Sequence, residues 1–460
     1  MNERSLHPRT RLLLEGPIAP TLLRLAAPNV VTTVVQGSTG LIEAYFVGFL
    51  GTDALAGVTL VFPGVMLMQM MSSGAMGGGV SSSVARALGS GRKADADAIV
   101  LHAVVIAIVL AAFFTLVMLP FGRSLYSAMG GTGASLDAAL TYSDIVFAGV
   151  ILIWLFNTLA NVIRGSGNTF VPAAVTVGGA ALLVPLSAAL IFGLGPLPRL
   201  EVAGGAIALL IYYGVGTLAF AGYLWSGRGA VRPRLGGSGL RWPLFYDIVR
   251  VGAVASLIAL MTNITIAATT GLVGAYGPAA IAGYGVGTRL EYLLIPLTFG
   301  FGGALVALVG TNIGAGQLAR AQRAAWIGGW ICFAITGTVG IAAALAPAAW
   351  LTLFGSDPAM IAAGTAYLQV VGPFYGFFGL GMALYFASQG AGTLKWPLIA
   401  GAIRLAIAVG GGWLLVMGGA GLGLMFAAPA AALAVFGTTI ALAVSRGAWR
   451  TSHDNRPGSG

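Results

Sequence analysis

Runs of apolar residues, broken by Gly, Pro and charged positions, recur along the whole chain. A hydrocarbon layer about 30 Å thick needs about 20 apolar helical residues to cross it. Runs of that length predict helices over 21–48, 55–87, 95–119, 136–164, 170–192 and 202–226 in the first half. The second half predicts 243–275, 279–310, 319–345, 360–389, 396–417 and 422–446. Several exceed the minimum, which predicts tilt or amphipathic extensions. The expected fold is all-α and polytopic, with twelve transmembrane helices.

Composition removes the alternative of a soluble protein. The chain is 58% hydrophobic and 8% charged, with mean hydropathy +0.92, whereas a soluble domain carries about 25% charged residues. Too few charges remain to make a water-facing surface. The net charge of +10 does not point to nucleic acid, because the basic residues are scattered through short loops with no dense basic run. Their distribution carries topology instead. Nineteen of the 23 Lys and Arg fall in the tails and alternate connections, among them Arg86, Arg92, Lys93, Arg164, Arg241 and Arg250. The opposite set holds only Arg123 and Arg199, and Arg289 and Arg404 lie inside spans. The positive-inside rule then predicts cytoplasmic termini. Cys332 stands alone within an apolar run, so neither an intramolecular disulfide nor a thiolate metal cluster is expected. No cleavable signal is expected either, the first apolar run being too long.

The two halves repeat. Gly51 with Ala54-Leu55-Ala56-Gly57 matches Gly277 with Ala280-Ile281-Ala282-Gly283 at an offset of 226. Gly89-Ser90-Gly91 matches Gly314-Ala315-Gly316, and Gly165-Ser166-Gly167, followed by Pro172, matches Gly390-Ala391-Gly392, followed by Pro397, both at 225. A single G-x-G match means nothing in a chain with 71 Gly; the shared register carries the weight. Six spans per half make the repeats parallel, with a pseudo-two-fold axis along the membrane normal. The expected organisation is an N-terminal lobe (1–226), a loose cytoplasmic linker (227–242), a C-terminal lobe (243–446) and a disordered tail (447–460). Two such lobes suit alternating access.

Four motifs together resemble the MATE (multidrug and toxic compound extrusion) family. They are Glu43-Ala44-Tyr45-Phe46-Val47-Gly48 with Ala54-Leu55-Ala56, Arg164-Gly165-Ser166-Gly167-Asn168-Thr169, Ala282-Gly283-Tyr284-Gly285 with Arg289-Leu290-Glu291, and Gly310-Thr311-Asn312-Ile313-Gly314-Ala315-Gly316. The likeness spans nearly the whole chain and is closest to the bacterial branch that includes the DNA-damage-inducible type, which implies a bacterial inner membrane. It implies a secondary-active antiporter that exports organic, mostly cationic drugs in exchange for H⁺ or Na⁺. Many members carry an Asp in the first span where this chain has Glu43, and some carry an Asp in the fifth span, where this chain reads Ala181-Leu182-Leu183-Val184-Pro185. Acids that some Na⁺-coupled members place in the seventh and tenth spans have no match. The implied coupling site therefore carries over only to Glu43.

The residues give the same emphasis. A charge inside a bilayer is costly and marks function. Glu43 sits roughly 12 Å below the outer end of its helix, at 1.5 Å per residue, and its repeat mate is Thr269. Further cavity candidates are Asp144, Asn157, Asn161, Glu291 and Arg289. Arg289 and Glu291 are two apart and so cannot face one another on a helix, and Arg289 is expected to be structural. Asp144 is placed in the outer half of the fourth span, where it could share a cavity with Glu43. His7, His102 and His453 form no metal-ligand pair, and no phosphate-binding G-x-x-x-x-G-K-[ST] exists. No cofactor, metal or enzymatic reaction is expected, leaving an ion gradient as the energy source. The other readings are a flippase for a lipid-linked saccharide, which often has fourteen spans and cleft-lining cations, and an intramembrane enzyme, for which no convergent catalytic set appears. The expected partners are small-molecule drugs and the bilayer, with the chain a monomer.

Overall fold

The computed structural model describes residues 6–233 and 239–449. Among them eleven helices are long and apolar enough to cross a membrane, or twelve with a bent pair taken as one span. They are α1 (Ile18–Gly48), α2 (Thr52–Gly89), α3 (Lys93–Ala128), α4 (Gly133–Ala148 with Val150–Gly165), α5 (Phe170–Phe192) and α6 (Val202–Trp225). The second six are α7 (Trp242–Gly274), α8 (Pro278–Gly314), α9 (Leu318–Leu345), α10 (Pro358–Ala391), α11 (Lys395–Met417) and α12 (Leu422–Ser445). The predicted all-α architecture is thus observed. The two halves of α4 meet at 50°. Helix α10 is interrupted by a short 3₁₀ turn at Gly372–Phe374, and α2 and α11 carry π-helical turns at Met70–Ala75 and Ala406–Gly411.

Large apolar side chains point outward, including Leu41, Leu116, Leu218 and Leu345. In water such a surface would be an aggregation site; lipid is the solvent that tolerates it. Trp154, Phe156 and Phe220 are buried in the first half of the chain, and Tyr375, Leu384 and Phe426 are buried in the second.

Contacts divide the chain into two compact units, Met1–Arg11 with Val31–Gly252, and Leu12–Val30 with Ala253–Gly460. These bounds differ from contiguous halves: the start of α1 belongs with the second unit and the start of α7 with the first. Within the first unit α4 is central, packing on α2, α3 and α6; within the second α10 packs on α8, α9 and α12. The helices correspond one for one.

The repeat motifs prove to be helix caps. Gly51 and Gly277 adopt φ of 116° and 98°, Gly91 and Gly316 of 74° and 75°, and Gly167 and Gly392 of 80° and 78°. These are left-handed conformations that a Cβ disfavours. Close helix approach repeats as well. A Cβ on Gly165 would lie 2.4 Å from the Ser81 carbonyl, and one on Gly390 would lie 2.7 Å from that of Val306. Both pairs are related by 225 residues, so the same backbone crossing is built twice.

The linker is not loose where it is described. Ala230 and Val231 are buried in the core of the first unit. The Arg232 amide donates to Asp97 Oδ1 at 2.8 Å, and that of Arg241 to His102 Nε2 at 2.8 Å. The Arg241 guanidinium pairs with Asp95 at 2.6 Å. Polar groups at the start of α3 thus satisfy a segment whose own glycines offer no regular structure. Linker residues 234–238 lie outside the described residues. So does most of the predicted tail, 450–460; its start is packed, with Trp449 5% exposed and its indole N–H 3.3 Å from Ser388 Oγ.

Candidate functional site

In the first unit Glu43 lies near the C-terminal end of α1 and is half-buried. The Tyr142 hydroxyl, from the first half of α4, donates to Glu43 Oε1 at 2.8 Å. Helix α6 supplies a bare backbone: a Cβ on Gly205 would lie 3.1 Å from the same oxygen. Tyr213, also on α6, is close enough to Glu43 and Gln69 to interact with both. No basic side chain pairs with Glu43 among the described residues, so its negative charge is met by hydroxyl dipoles alone.

A second polar cluster lies further toward the C-terminal end of α4. Asn157 donates to Gln69 Oε1 at 3.2 Å and to Ser72 Oγ at 2.9 Å. Asn161 donates to the Ser73 carbonyl at 3.1 Å and to that of Asn157 at 2.9 Å. Residues four apart on a helix share a face, which brings both amides to α2. The π-helical turn of α2 widens the backbone ladder there, a local feature frequent at functional sites. Gly77 leaves room for the contact, since a Cβ would overlap the Asn161 amide.

The second unit holds its own carboxylate. Tyr367 on α10 donates to Glu291 Oε1 on α8. Tyr284 and Phe426 flank the Tyr367 ring at 5.2 Å each, and Arg404 on α11 lies within electrostatic reach of Glu291. Tyr142 and Tyr367 are 225 residues apart. The repeat therefore supplies equivalent tyrosines to carboxylates on non-equivalent helices, α1 and α8. Thr269, the repeat mate of Glu43, is 3% exposed, and its hydroxyl has no hydrogen-bond partner among the described residues.

The remaining sequence candidates separate. Asp144 is exposed and is not brought to Glu43; it is two residues beyond Tyr142, and that spacing turns it to another side of the helix. Arg289 is exposed, its guanidinium 5.3 Å from the Phe354 ring centre. Sequence reasoning passed over Tyr142, Tyr367, Tyr213 and Gln69. The 225-residue register would have found the tyrosine pair; nothing local marks Tyr213 or Gln69.

Comparisons with known proteins agree with the duplicated architecture. The MatE family model matches twice, over residues 28–189 and 254–414. A protein named FAD transporter from Shewanella oneidensis is 29% identical over 82% of each chain. A probable multidrug resistance protein NorM from Deinococcus radiodurans is also 29% identical, over 82% of this chain and 84% of its own. Multidrug export protein MepA from Staphylococcus aureus is 23% identical over 85% and 87%. Among solved structures, a transporter of the MOP superfamily from Pyrococcus furiosus, whose description notes a binding pocket of reverse polarity, superposes with TM-score 0.87 at 25% identity. It covers 96% of this chain and 98% of its own. An outward-facing multidrug resistance MATE family transporter superposes with TM-score 0.85 at 25% identity, over 96% and 99%. With a family model matched in both halves and the fold shared from end to end, the chain belongs to the MatE family of membrane transporters.

Proposed function

We propose that the protein is a multidrug efflux antiporter that exports organic, mostly cationic compounds in exchange for H⁺, with Glu43 as the coupling carboxylate. The observation that carries this reading is the setting of Glu43: an acid inside the first span, half-buried, held by one tyrosine hydroxyl and by no basic group. A carboxylate without a fixed counter-ion is free to exchange one cation for another. As an anion it accepts a charge-assisted hydrogen bond from Tyr142, and protonation turns this into a weaker neutral one. The change loosens α1 from α4, which links proton loading to helix movement. One carboxylate without a surrounding cage of oxygens favours H⁺ over Na⁺ as the coupling ion.

Relatives named for multidrug resistance and export support the cargo class, while the relative named FAD transporter marks an anionic cargo to be tested beside it. The test is transport in proteoliposomes containing the purified protein. A fluorescent organic cation and FAD are offered separately, with a pH gradient or a Na⁺ gradient imposed one at a time. Cation export driven by the pH gradient, and lost in Glu43→Gln, is expected. Full pH-driven export by Glu43→Gln would sink the coupling assignment, and export driven only by Na⁺ would change the ion.

A further inference from the structure

Of the two arginines inside predicted spans, Arg289 is exposed beside Phe354, and Arg404 turns to the interior with no task in the coupling reading. It lies about 14 Å along α11 from Lys395, at 1.5 Å per residue, just before the π-helical turn Ala406–Gly411. Its side chain turns inward: the guanidinium is 5.4 Å from the ring centre of Phe436, which is 2% exposed. Glu291, Tyr367 and Tyr284 are within electrostatic reach, and both tyrosines are under a tenth exposed. Yet among the described residues Arg404 has no ion-pair partner and no hydrogen-bond acceptor for its five N–H donors. Glu291 accepts its hydrogen bond from the Tyr367 hydroxyl instead. The residue is half-buried, so the guanidinium remains approachable.

A guanidinium is suited to bidentate recognition of oxyanions and is rarely left unused in a low-dielectric setting. Packing does not require it, because the repeat puts Gly179 at the matching position, 225 residues earlier, against the Tyr212 ring. The first unit thus has an acid without a cation, and the second has a cation without a bonded acid.

We propose that Arg404 is an oxyanion subsite in the second unit, which binds the phosphate group of an amphipathic aromatic solute. The Tyr284, Tyr367 and Phe436 rings supply apolar faces beside it, and Glu291 repels anions that approach from its own side. This goes beyond export of cations and rests on the transporter reading only in treating the bound solute as cargo.

The test is equilibrium binding, which needs no gradient, so it stands apart from any failure of coupling at Glu43. Full-length protein in phosphatidylcholine nanodiscs is titrated with riboflavin and with its 5′-phosphate, FMN, followed by flavin fluorescence. We expect FMN to bind at least about ten-fold more tightly than riboflavin, with the difference removed in Arg404→Gln and largely kept in Arg404→Lys. Inorganic pyrophosphate is expected to displace FMN and to leave riboflavin bound. Equal binding of the two flavins, no binding of FMN, or a phosphate preference that survives in Arg404→Gln overturns the proposal. If Arg404→Gln does not fold, the lysine variant and the pyrophosphate competition decide. Loss of FMN preference on adding phosphatidylglycerol would assign the subsite to a lipid headgroup and overturn the solute reading.

Discussion

The Tyr142 hydroxyl lies 2.8 Å from Glu43 Oε1 and donates to it. This contact ties α1 to α4 at the only point where α1 carries an acid in its membrane part. Tyr142→Phe keeps the ring and removes the donor. A hydrogen bond to a charged group contributes about 1.5–3 kcal/mol. We expect pH-driven export to fall by roughly ten-fold or more, since about 1.4 kcal/mol corresponds to a factor of ten, while the protein stays folded. Export rates of wild type, Tyr142→Phe and Glu43→Gln at equal incorporation check this; an unaltered rate in Tyr142→Phe would remove the tyrosine from the mechanism.

Gly165 and Gly178 offer a matched pair for the packing argument. A Cβ at Gly165 would meet the Ser81 backbone at 2.4 Å, whereas one at Gly178 meets nothing within 4 Å. Overpacking costs about 1–3 kcal/mol, so Gly165→Ala is expected to lower the thermal unfolding midpoint. Gly178→Ala should leave it unchanged or raise it, because alanine is the better helix former by about 0.5–1 kcal/mol. Gly390→Ala, at the repeat-equivalent crossing, should resemble Gly165→Ala.

Arg86 and Asp247 are joined at 2.8 Å with side-chain exposures of 13% and 35%, and Ser83 adds a donor to Asp247 at 2.7 Å. Exposed pairs contribute about 0–1 kcal/mol, while breaking a buried one costs about 3–5 kcal/mol. This pair lies between. A double-mutant cycle with Arg86→Ala and Asp247→Ala on unfolding stability should return a coupling of about 1–3 kcal/mol, discounted for the exposure of Asp247. Zero coupling would mean that water serves the aspartate equally well.

His102 is 1% exposed and uses both ring nitrogens, Nδ1 at 2.9 Å from the Ala98 carbonyl and Nε2 accepting from the Arg241 amide at 2.8 Å. A carbonyl can only accept and an amide only donate, which fixes a neutral Nδ1–H tautomer. His102→Ala orphans a backbone N–H at about 1–3 kcal/mol. Faster proteolysis between Arg228 and Arg241 in the folded protein is the expected result, and unchanged cleavage would show that other contacts hold the linker.

Orientation is open to a direct check. Basic residues predict cytoplasmic termini, so a fluorescent protein fused at the C-terminus should mature and an alkaline phosphatase fusion should stay inactive. Cys332 is fully buried, which makes the wild-type chain a blank background for cysteine labelling from either side.

Run length, composition and repeat spacing were enough to establish the solvent, the number of helices and the duplication. Apolar run length is set by bilayer thickness, and cap glycines such as Gly91 and Gly316 announce themselves because few other residues accept their left-handed backbone. The sequence also singled out Glu43 and Glu291, since charge inside an apolar run stands out whatever surrounds it. Which groups meet those acids emerges only from the packing of the folded chain. Tyr142 stands 99 residues from Glu43 and Tyr367 stands 76 from Glu291. Helix rotation aims each tyrosine inward and turns Asp144 aside. The exchange of segments between the compact units was equally invisible, because membership in a packed body depends on which helix faces touch, and an apolar sequence in lipid leaves many faces equivalent.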